Sequence, residues 1–136
     1  MPAYRSPPIH QLLYVSFLAP DAPLSVVADI ARRARVVNKQ LDITGVLVFD
    51  GQRFCQHLEG SMRAVVKLFE DICGDTRHID VGLLHQGPVD KRRYLNFSMG
   101  FADLQDVDPL EALEQLSGEP AVAAFDVLYA TLDMNA

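Results

Sequence analysis

The sequence of 136 residues contains no tryptophan and only two cysteines, and acidic residues outnumber basic ones. The net charge of −6 argues against a nucleic-acid partner, because affinity for the phosphate backbone comes mainly from lysine and arginine. Cys55 and Cys73 form no CxxC motif, which favours a reducing cytoplasm over a disulfide scaffold. No apolar run is typical of a signal peptide or a membrane span. We therefore expect a cytoplasmic protein with no membrane partner.

Motifs of common enzyme classes are also missing, including GxGxxG, the P-loop, GxSxG and HExxH. Asp75, His78 and Asp80 are only weakly typical of metal ligands, and a turn at a helix end explains them more simply. Cys55 and His57 share one face of a predicted strand, but a thiol nucleophile also needs an oriented third partner and an electropositive setting. The sequence therefore predicts neither an enzyme nor a metal site.

The apolar pattern predicts five strands and two long helices. The strands fall at residues 11–19, 45–49, 53–58, 81–87 and 94–101, and Asp50-Gly51 indicates a hairpin between the second and third. Asp21 and Ser61 are predicted to cap the helices, which end near Gln40 and at Gly74. In the last strand, alternation predicts one face made of Leu95, Phe97, Met99 and Phe101.

This order, β-α-β-β-α-β-β, predicts an α+β sandwich of the ferredoxin-like type, with both helices on one face of the sheet. We expect residues 1–103 to form this domain, with a leader at 1–9. Residues 104–136 are expected to form a C-terminal helical extension, broken at 117–120 and packed on the domain. Its apolar side chains would cover the other face of the sheet.

A glutamine lies in the middle of the apolar strand FCQHLEG. Gln56 shares a face with Phe54 and Leu58, where an unpaired buried amide costs about 1–3 kcal/mol. The first and third strands of a ferredoxin-like sheet are neighbours, so Tyr14 is expected to lie beside Gln56. The phenol can donate to the amide oxygen, and the amide can donate onward. The onward partner is either a ligand or another group of the core.

Four stretches resemble the BLUF family, sensors of blue light that use a flavin: LLYVS, NKQLDITGVLVFDGQRFCQHLEG, DTRH and KRRYLNFSMGF. The N-x5-TG element, followed by a hairpin ending in F-x-Q-x-LEG, is the most specific of these matches. The resemblance covers roughly residues 10–103. It implies a ferredoxin-like fold and a flavin chromophore, FAD with FMN as the alternative. Apolar surface left over from the C-terminal extension would favour a homo-oligomer, and we also expect a downstream protein partner that the sequence does not identify.

The resemblance also implies roles for individual residues. The photoactive tyrosine corresponds to Tyr14, the switching glutamine to Gln56 and the relay methionine to Met99. The asparagine that bonds the flavin ring corresponds to Asn38. Further flavin contacts are implied at Ile30, Lys39, Ile72, Asp75, Arg77 and His78. The chain departs from the family pattern at Phe97, often tryptophan, and at Val37 and Asp71, which leaves the choice between FAD and FMN open.

The mechanism implied by the resemblance needs no substrate. Light makes Tyr14 give up an electron and then a proton, and Gln56 is left rotated or tautomerised with a red-shifted absorption. The output is then a change in assembly or in partner binding. Two other classes stay open from the residues alone: a flavin-free ferredoxin-like module that binds a metabolite or regulates, and an enzyme using Cys55 and His57.

Overall fold

The computed structural model describes residues 8–134. Most of the predicted leader, residues 1–7 of 1–9, therefore lies outside the described residues. The elements in chain order are β1 (Ile9–Leu18), α1 (Ser25–Gln40), β2 (Thr44–Phe49), β3 (Arg53–Gly60), α2 (Met62–Cys73), β4 (His78–Val89), β5 (Gly100–Asp103), α3 (Asp108–Glu114) and α4 (Glu119–Tyr129). No helix in this part of the chain is both long enough and apolar enough to cross a membrane.

The strands form a single sheet in the order β4-β1-β3-β2-β5. The first four are antiparallel to their neighbours, as in a ferredoxin-like sheet, and β5 adds to the β2 edge in parallel. β1 and β3 are therefore central neighbours, and Tyr14 lies directly opposite Gln56 in their register. The predicted ferredoxin-like fold is confirmed.

The two faces of the sheet support separate apolar cores. On one face, α1 and α2 bury Val27, Ala31 and Val65 against Leu12, Tyr14 and other residues of the sheet. On the other face, α3 and α4 bury Leu110, Leu113, Val122 and Phe125 against Leu13 and Val15. The alternation of side chains along β1 explains this division, because successive residues point to opposite faces. The two long helices cover one face, as the sequence predicts.

The prediction of a strand over residues 94–101 is wrong for most of its length. Only Gly100–Asp103 is extended, and the preceding residues form an irregular loop. Tyr94 and Phe97 pack in the core under α3 and α4, whereas Met99 and Phe101 pack under α1 and α2. Leu95, predicted to share their face, is 77% exposed. The loop departs from the strand because the backbone N–H groups of Arg93 and Tyr94 donate to Glu59, which anchors them away from the β2 edge.

Element boundaries differ from the sequence pattern in two further places. Helix α1 begins after Leu24 with no side-chain cap, so the predicted cap at Asp21 is wrong, whereas the Ser61 hydroxyl accepts from the Ala64 N–H at the start of α2 as expected. Strand β4 spans 12 residues and exceeds the predicted 81–87. It is an edge strand, and half-exposed edge positions tolerate polar residues, Gly and Pro that mask an apolar pattern.

Candidate functional site

A cleft of about 260 Å³ opens between α1 and α2, above the centre of the sheet. Apolar side chains of the two helices form its walls, and Tyr14 and Gln56 form its floor. Its mouth carries charged groups from α1 and from the turn that follows α2. The lining residues are Tyr14, Ile30, Arg33, Ala34, Val37, Asn38, Gln56, Leu68, Asp71, Ile72, Asp75, Arg77 and His78.

Tyr14 and Gln56 are joined by a short hydrogen bond in the floor of the cleft. The Tyr14 hydroxyl donates to Oε1 of Gln56 across 2.5 Å, and both side chains are buried. Burial, followed by the thiols of Cys55 and Cys73 and the Asp75 carboxyl, raises the pKa of Tyr14 well above its ordinary value. Tyr14 is therefore a neutral phenol at rest, with its proton directed at an amide oxygen.

The other end of the Gln56 amide faces Met99. Nε2 of Gln56 lies 3.6 Å from the Met99 sulfur, a weak acceptor. β3 does not neighbour β5, because β2 lies between them. Met99 instead reaches Gln56 from the loop immediately before β5, and it is fully buried there. The structure thus brings Met99 to the amide by a route that strand pairing does not predict.

Asn38 joins α1 to the same loop. Its Nδ2 donates to the Ser98 carbonyl across 2.9 Å, and the Arg35 Nε donates to the Met99 carbonyl. Oδ1 of Asn38 is buried and has no hydrogen-bond partner among residues 8–134. Because an unpaired buried acceptor costs about 1–3 kcal/mol, this oxygen is suited to a ligand that brings an N–H donor into the cleft.

The mouth of the cleft contains a closed ion pair. Arg77 donates to both carboxylate oxygens of Asp75, with the closest contact at 2.6 Å. The hydrogen bond from Arg77 holds the pKa of Asp75 below its ordinary value. His78 is buried, and its Nδ1 lies 2.9 Å from the Ser16 hydroxyl oxygen. Burial lowers the pKa of its imidazole. These three residues, which the resemblance implies as flavin contacts, all line the cleft.

Most of the side chains that the sequence assigns to a flavin line this cleft, including Ile30 and Ile72. Lys39 does not: it is exposed and is not one of the lining residues. Five lining residues were not predicted as contacts, namely Arg33, Ala34, Val37, Leu68 and Asp71. Helical spacing carries the signal for four of them, since Arg33, Ala34, Leu68 and Asp71 lie three or four residues from Ile30, Ile72 or Asp75. Val37 lies seven residues, about two helical turns, from Ile30.

The arrangement does not support a thiol enzyme. Cys55 is fully buried, and burial raises the pKa of its thiol, so the reactive thiolate is suppressed. His57 is engaged elsewhere: its two ring nitrogens lie within hydrogen-bond distance of Tyr94 and Gln11. Among the described residues there is also no cluster of three or more His, Cys, Asp or Glu residues that could hold a metal ion.

The cleft fits a flavin in the chemistry of its groups. The isoalloxazine ring is flat and apolar on its faces and carries both carbonyl acceptors and a ring N–H on its edge. Aliphatic side chains on α1 and α2 suit the faces, and the buried Oδ1 of Asn38 and the Gln56 amide suit the edge. The polar turn at 75–78 suits the charged tail.

Comparison with known proteins decides the family. The sequence profile described as "BLUF: Sensors of blue-light using FAD" matches residues 9–100. The chain belongs to the BLUF family. As a BLUF domain it is a blue-light sensor that binds a flavin. The flavin-free module is accordingly not favoured.

Known BLUF proteins resemble the chain in sequence and in structure. The blue light- and temperature-regulated antirepressor BluF of Escherichia coli is 33% identical over 69% of this chain. The dark-state structure of BlrB, a BLUF protein, is 31% identical and covers 88% of this chain and 92% of its own, with a TM-score of 0.75. The ground state of BlsA covers 94% of this chain and 91% of its own at 25% identity, with a TM-score of 0.79.

Other BLUF relatives are longer. The chain is 34% identical to the photoactivated adenylate cyclase subunit alpha of Euglena gracilis over 91% of its own length. It spans 13% of that protein and 23% of the antirepressor BluF. The match to these relatives therefore concerns their BLUF portion.

Proposed function

We propose that Tyr14, Gln56 and Met99 form the light switch of this BLUF domain. The observation that carries this proposal is the 2.5 Å hydrogen bond from the Tyr14 hydroxyl to Gln56 Oε1, in the floor of a cleft suited to a flavin. A bound flavin would supply the absorption of blue light and would act as a one-electron acceptor. Tyr14 is the electron donor, because it is the one residue with a phenol ring among the described residues that line the cleft.

The hydrogen bond directs the proton that follows the electron. Neutral Tyr14 has a high pKa and keeps its proton. A phenol that has lost an electron is a strong acid, so the oxidised side chain gives this proton up. Oε1 of Gln56 is already positioned to accept it, and the Tyr14 oxygen regains a proton when the electron returns. Proton transfer over 2.5 Å requires no movement of either residue's backbone, so the switch begins in the side chains alone.

The Gln56 amide then has a second arrangement to adopt. In the resting one, Oε1 accepts from Tyr14 and Nε2 faces the Met99 sulfur. Rotation or tautomerisation of the amide exchanges a donor for an acceptor at both ends without moving net charge. Met99 loses its donor, and the amide presents a changed hydrogen-bonding group to the cleft, which gives the red-shifted absorption.

We further propose FAD as the chromophore, with FMN as the alternative. The family description names FAD, and one structure of the related BlrP1 of Klebsiella pneumoniae was obtained with FMN. Asn38, Ile30, Ile72 and the turn residues Asp75, Arg77 and His78 form the proposed binding set. Lys39 is left out of this set, because its side chain does not line the cleft.

The proposed output element is the C-terminal extension, residues 104–136, packed on the domain formed by residues 1–103. Helices α3 and α4 lie on the sheet face opposite the cleft. Between them runs an apolar groove that includes Leu116 and Val127, and Val127 is 71% exposed. Exposed apolar surface favours association, so we propose a homo-oligomer and a light-dependent protein partner. The free thiols of Cys55 and Cys73 support a cytoplasmic location.

The purified protein tests this function directly. We expect a yellow protein that releases its flavin on denaturation, and chromatography of the released flavin decides between FAD and FMN. Blue light is expected to shift the absorption reversibly to the red. Protein that stays colourless after incubation with FAD, FMN and riboflavin would refute the proposal. Light scattering in darkness and under illumination tests the proposed assembly.

A further inference from the structure

A buried polar network occupies the sheet face opposite the cleft, and the switch itself does not use it. Its centre is His57, the residue after Gln56 in β3, which is 0% exposed. The ring of Phe125 in α4 packs edge-on against the imidazole, with 5.5 Å between ring centres. A buried imidazole needs hydrogen bonds at its nitrogens to offset the loss of water, and His57 has one at each.

The directions of these hydrogen bonds follow from their partners. Oε1 of Gln11 lies 2.9 Å from Nε2 of His57 and also accepts from Arg93. An amide oxygen only accepts, so Nε2 of His57 carries the ring proton. Nδ1 is then the acceptor, and the Tyr94 hydroxyl donates to it across 2.6 Å. Burial, followed by the positive charge of Arg93 and by His85, lowers the pKa of His57 to about 3, which keeps the neutral imidazole that this arrangement requires.

Tyr94 begins the loop that ends at Met99; residues 94–99 are called the switch loop below. Its start is anchored to β3 twice, by the His57 hydrogen bond and by the Tyr94 N–H, which donates to the Glu59 carboxylate. Its end places the Met99 sulfur against the Gln56 amide. Consecutive residues of β3, Gln56 and His57, thus contact the two ends of one loop from opposite faces of the sheet.

Helix α4 contacts the start of the same loop. The rings of Tyr94 and Tyr129 meet edge-to-face with their centres 5.0 Å apart. Arg93, next to Tyr94 in the chain, pairs with Asp126 across 3.3 Å. A displacement at the start of the switch loop therefore reaches α4 through a ring contact and an ion pair.

We propose that His57 and Tyr94 are positioning residues that couple the light switch to helix α4. They hold the start of the switch loop in place. A change in the position of Met99 is therefore transmitted along the loop to Asp126 and Tyr129 and is not lost through local motion of the loop. The inference rests on the proposed role of Gln56 and Met99, and it adds the route by which their state crosses the sheet.

The test is Tyr94→Phe in the full chain with flavin bound. This change removes the hydroxyl that His57 accepts and keeps the ring that packs on Tyr129. Tyr129→Phe is the matched control, because no hydrogen bond involves the Tyr129 hydroxyl in the part of the chain that the structure describes. For each protein, absorption and amide hydrogen exchange over residues 119–129 are measured in darkness and under blue light.

We expect Tyr94→Phe to retain the red shift and to lose most of the light-minus-dark difference in exchange over α4, while Tyr129→Phe retains both. A purely structural role for the hydroxyl would raise exchange in both states and leave their difference unchanged. That result would overturn the proposal, as would a wild-type protein that shows the red shift but no light-dependent exchange in α4.

A second variant keeps the test decisive if Tyr94→Phe does not fold. Asp126→Asn removes the outer ion pair to Arg93 at a partly exposed site and leaves the core intact. We expect a smaller light-minus-dark difference over α4 with a normal red shift, and an unchanged difference would contradict the coupling route. A wild-type protein that binds flavin without any red shift would instead refute the proposed function of Gln56, independently of α4.

Discussion

Tyr14 and Gln56 lie 42 positions apart in the chain, yet the hydroxyl of one donates to the amide oxygen of the other across 2.5 Å. The antiparallel register of β1 and β3 places them directly opposite each other. The pair is held by two central strands, so its geometry is fixed before any ligand binds.

Substitution of Tyr14 or Gln56 is expected to abolish the light response without abolishing flavin binding. Gln56→Leu keeps a similar volume and removes the amide, and Tyr14→Phe removes only the phenol oxygen. We expect both variants to bind flavin and to lose the normal red shift, as recorded by absorption before and after blue light. A full red-shifted state in Gln56→Leu would remove Gln56 from the mechanism.

Asn38→Ala is expected to weaken flavin binding. The buried Oδ1 lacks a partner within residues 8–134, and a hydrogen bond to a ligand there contributes about 0.5–1.5 kcal/mol, or roughly a threefold to tenfold change in Kd. Titration of the apoprotein with riboflavin, followed by flavin fluorescence, measures this change. The matched control is Lys39→Ala at the next position, whose side chain does not line the cleft and which is expected to bind as the wild type does. Equal losses in the two variants would argue against a specific role for Asn38.

Substitution of Met99 is expected to change the light response of the C-terminal helices more than the absorption spectrum. Met99→Ala should retain the red shift and weaken the light-dependent change in hydrogen exchange over residues 109–132, because the Gln56 amide loses its contact with the switch loop. The truncation also leaves a cavity, so Met99→Leu, which keeps most of the volume, is the second variant to measure. Exchange identical in light and dark across that segment of the wild-type protein would mean that the signal leaves elsewhere.

Stability is expected to fall in mild acid because of His57. The pKa of its imidazole is lowered from about 6.5 in the unfolded chain to about 3 in the folded protein. Below pH 6.5 the unfolded state therefore binds a proton that the folded state does not, and stability decreases as the pH falls toward 3. Between pH 7 and pH 5 the contribution amounts to about 2 kcal/mol.

Urea unfolding at the two pH values measures the effect. The control is His57→Gln, whose amide can accept from Tyr94 and donate to Gln11 without titrating. The variant should lose less stability between pH 7 and pH 5 than the wild type. Equal losses would show that His57 does not carry the dependence.

The two thiols are expected to differ in reactivity. Cys73 is exposed, whereas Cys55 is buried with a raised pKa. A thiol reagent at neutral pH should therefore label one cysteine quickly in the folded protein, and Cys73→Ser should abolish this fast phase. Fast labelling of Cys55 would instead support the hypothesis of an enzyme that uses Cys55 and His57.

The sequence by itself determined the order of elements and the face on which most strand residues lie. Alternation separated Tyr14, Phe54 and Gln56 from Val15 and Cys55, because neighbouring residues of a strand point to opposite faces of a sheet. The order of the elements likewise predicted that α1 and α2 cover the same face of the sheet. The N-x5-TG element that begins at Asn38 and the F-x-Q-x-LEG element that contains Gln56 then indicated the family by resemblance.

Only the tertiary structure decided the course of residues 94–99. Their alternating apolar pattern suits a strand, but Glu59 binds the backbone at Arg93 and Tyr94 and the chain crosses from one core to the other before Met99. The same is true of the His57 network, whose partners come from β1, β3 and the switch loop. A local sequence pattern indicates which face of a strand each side chain would occupy. Hydrogen bonds between distant segments determine whether the backbone is extended there at all.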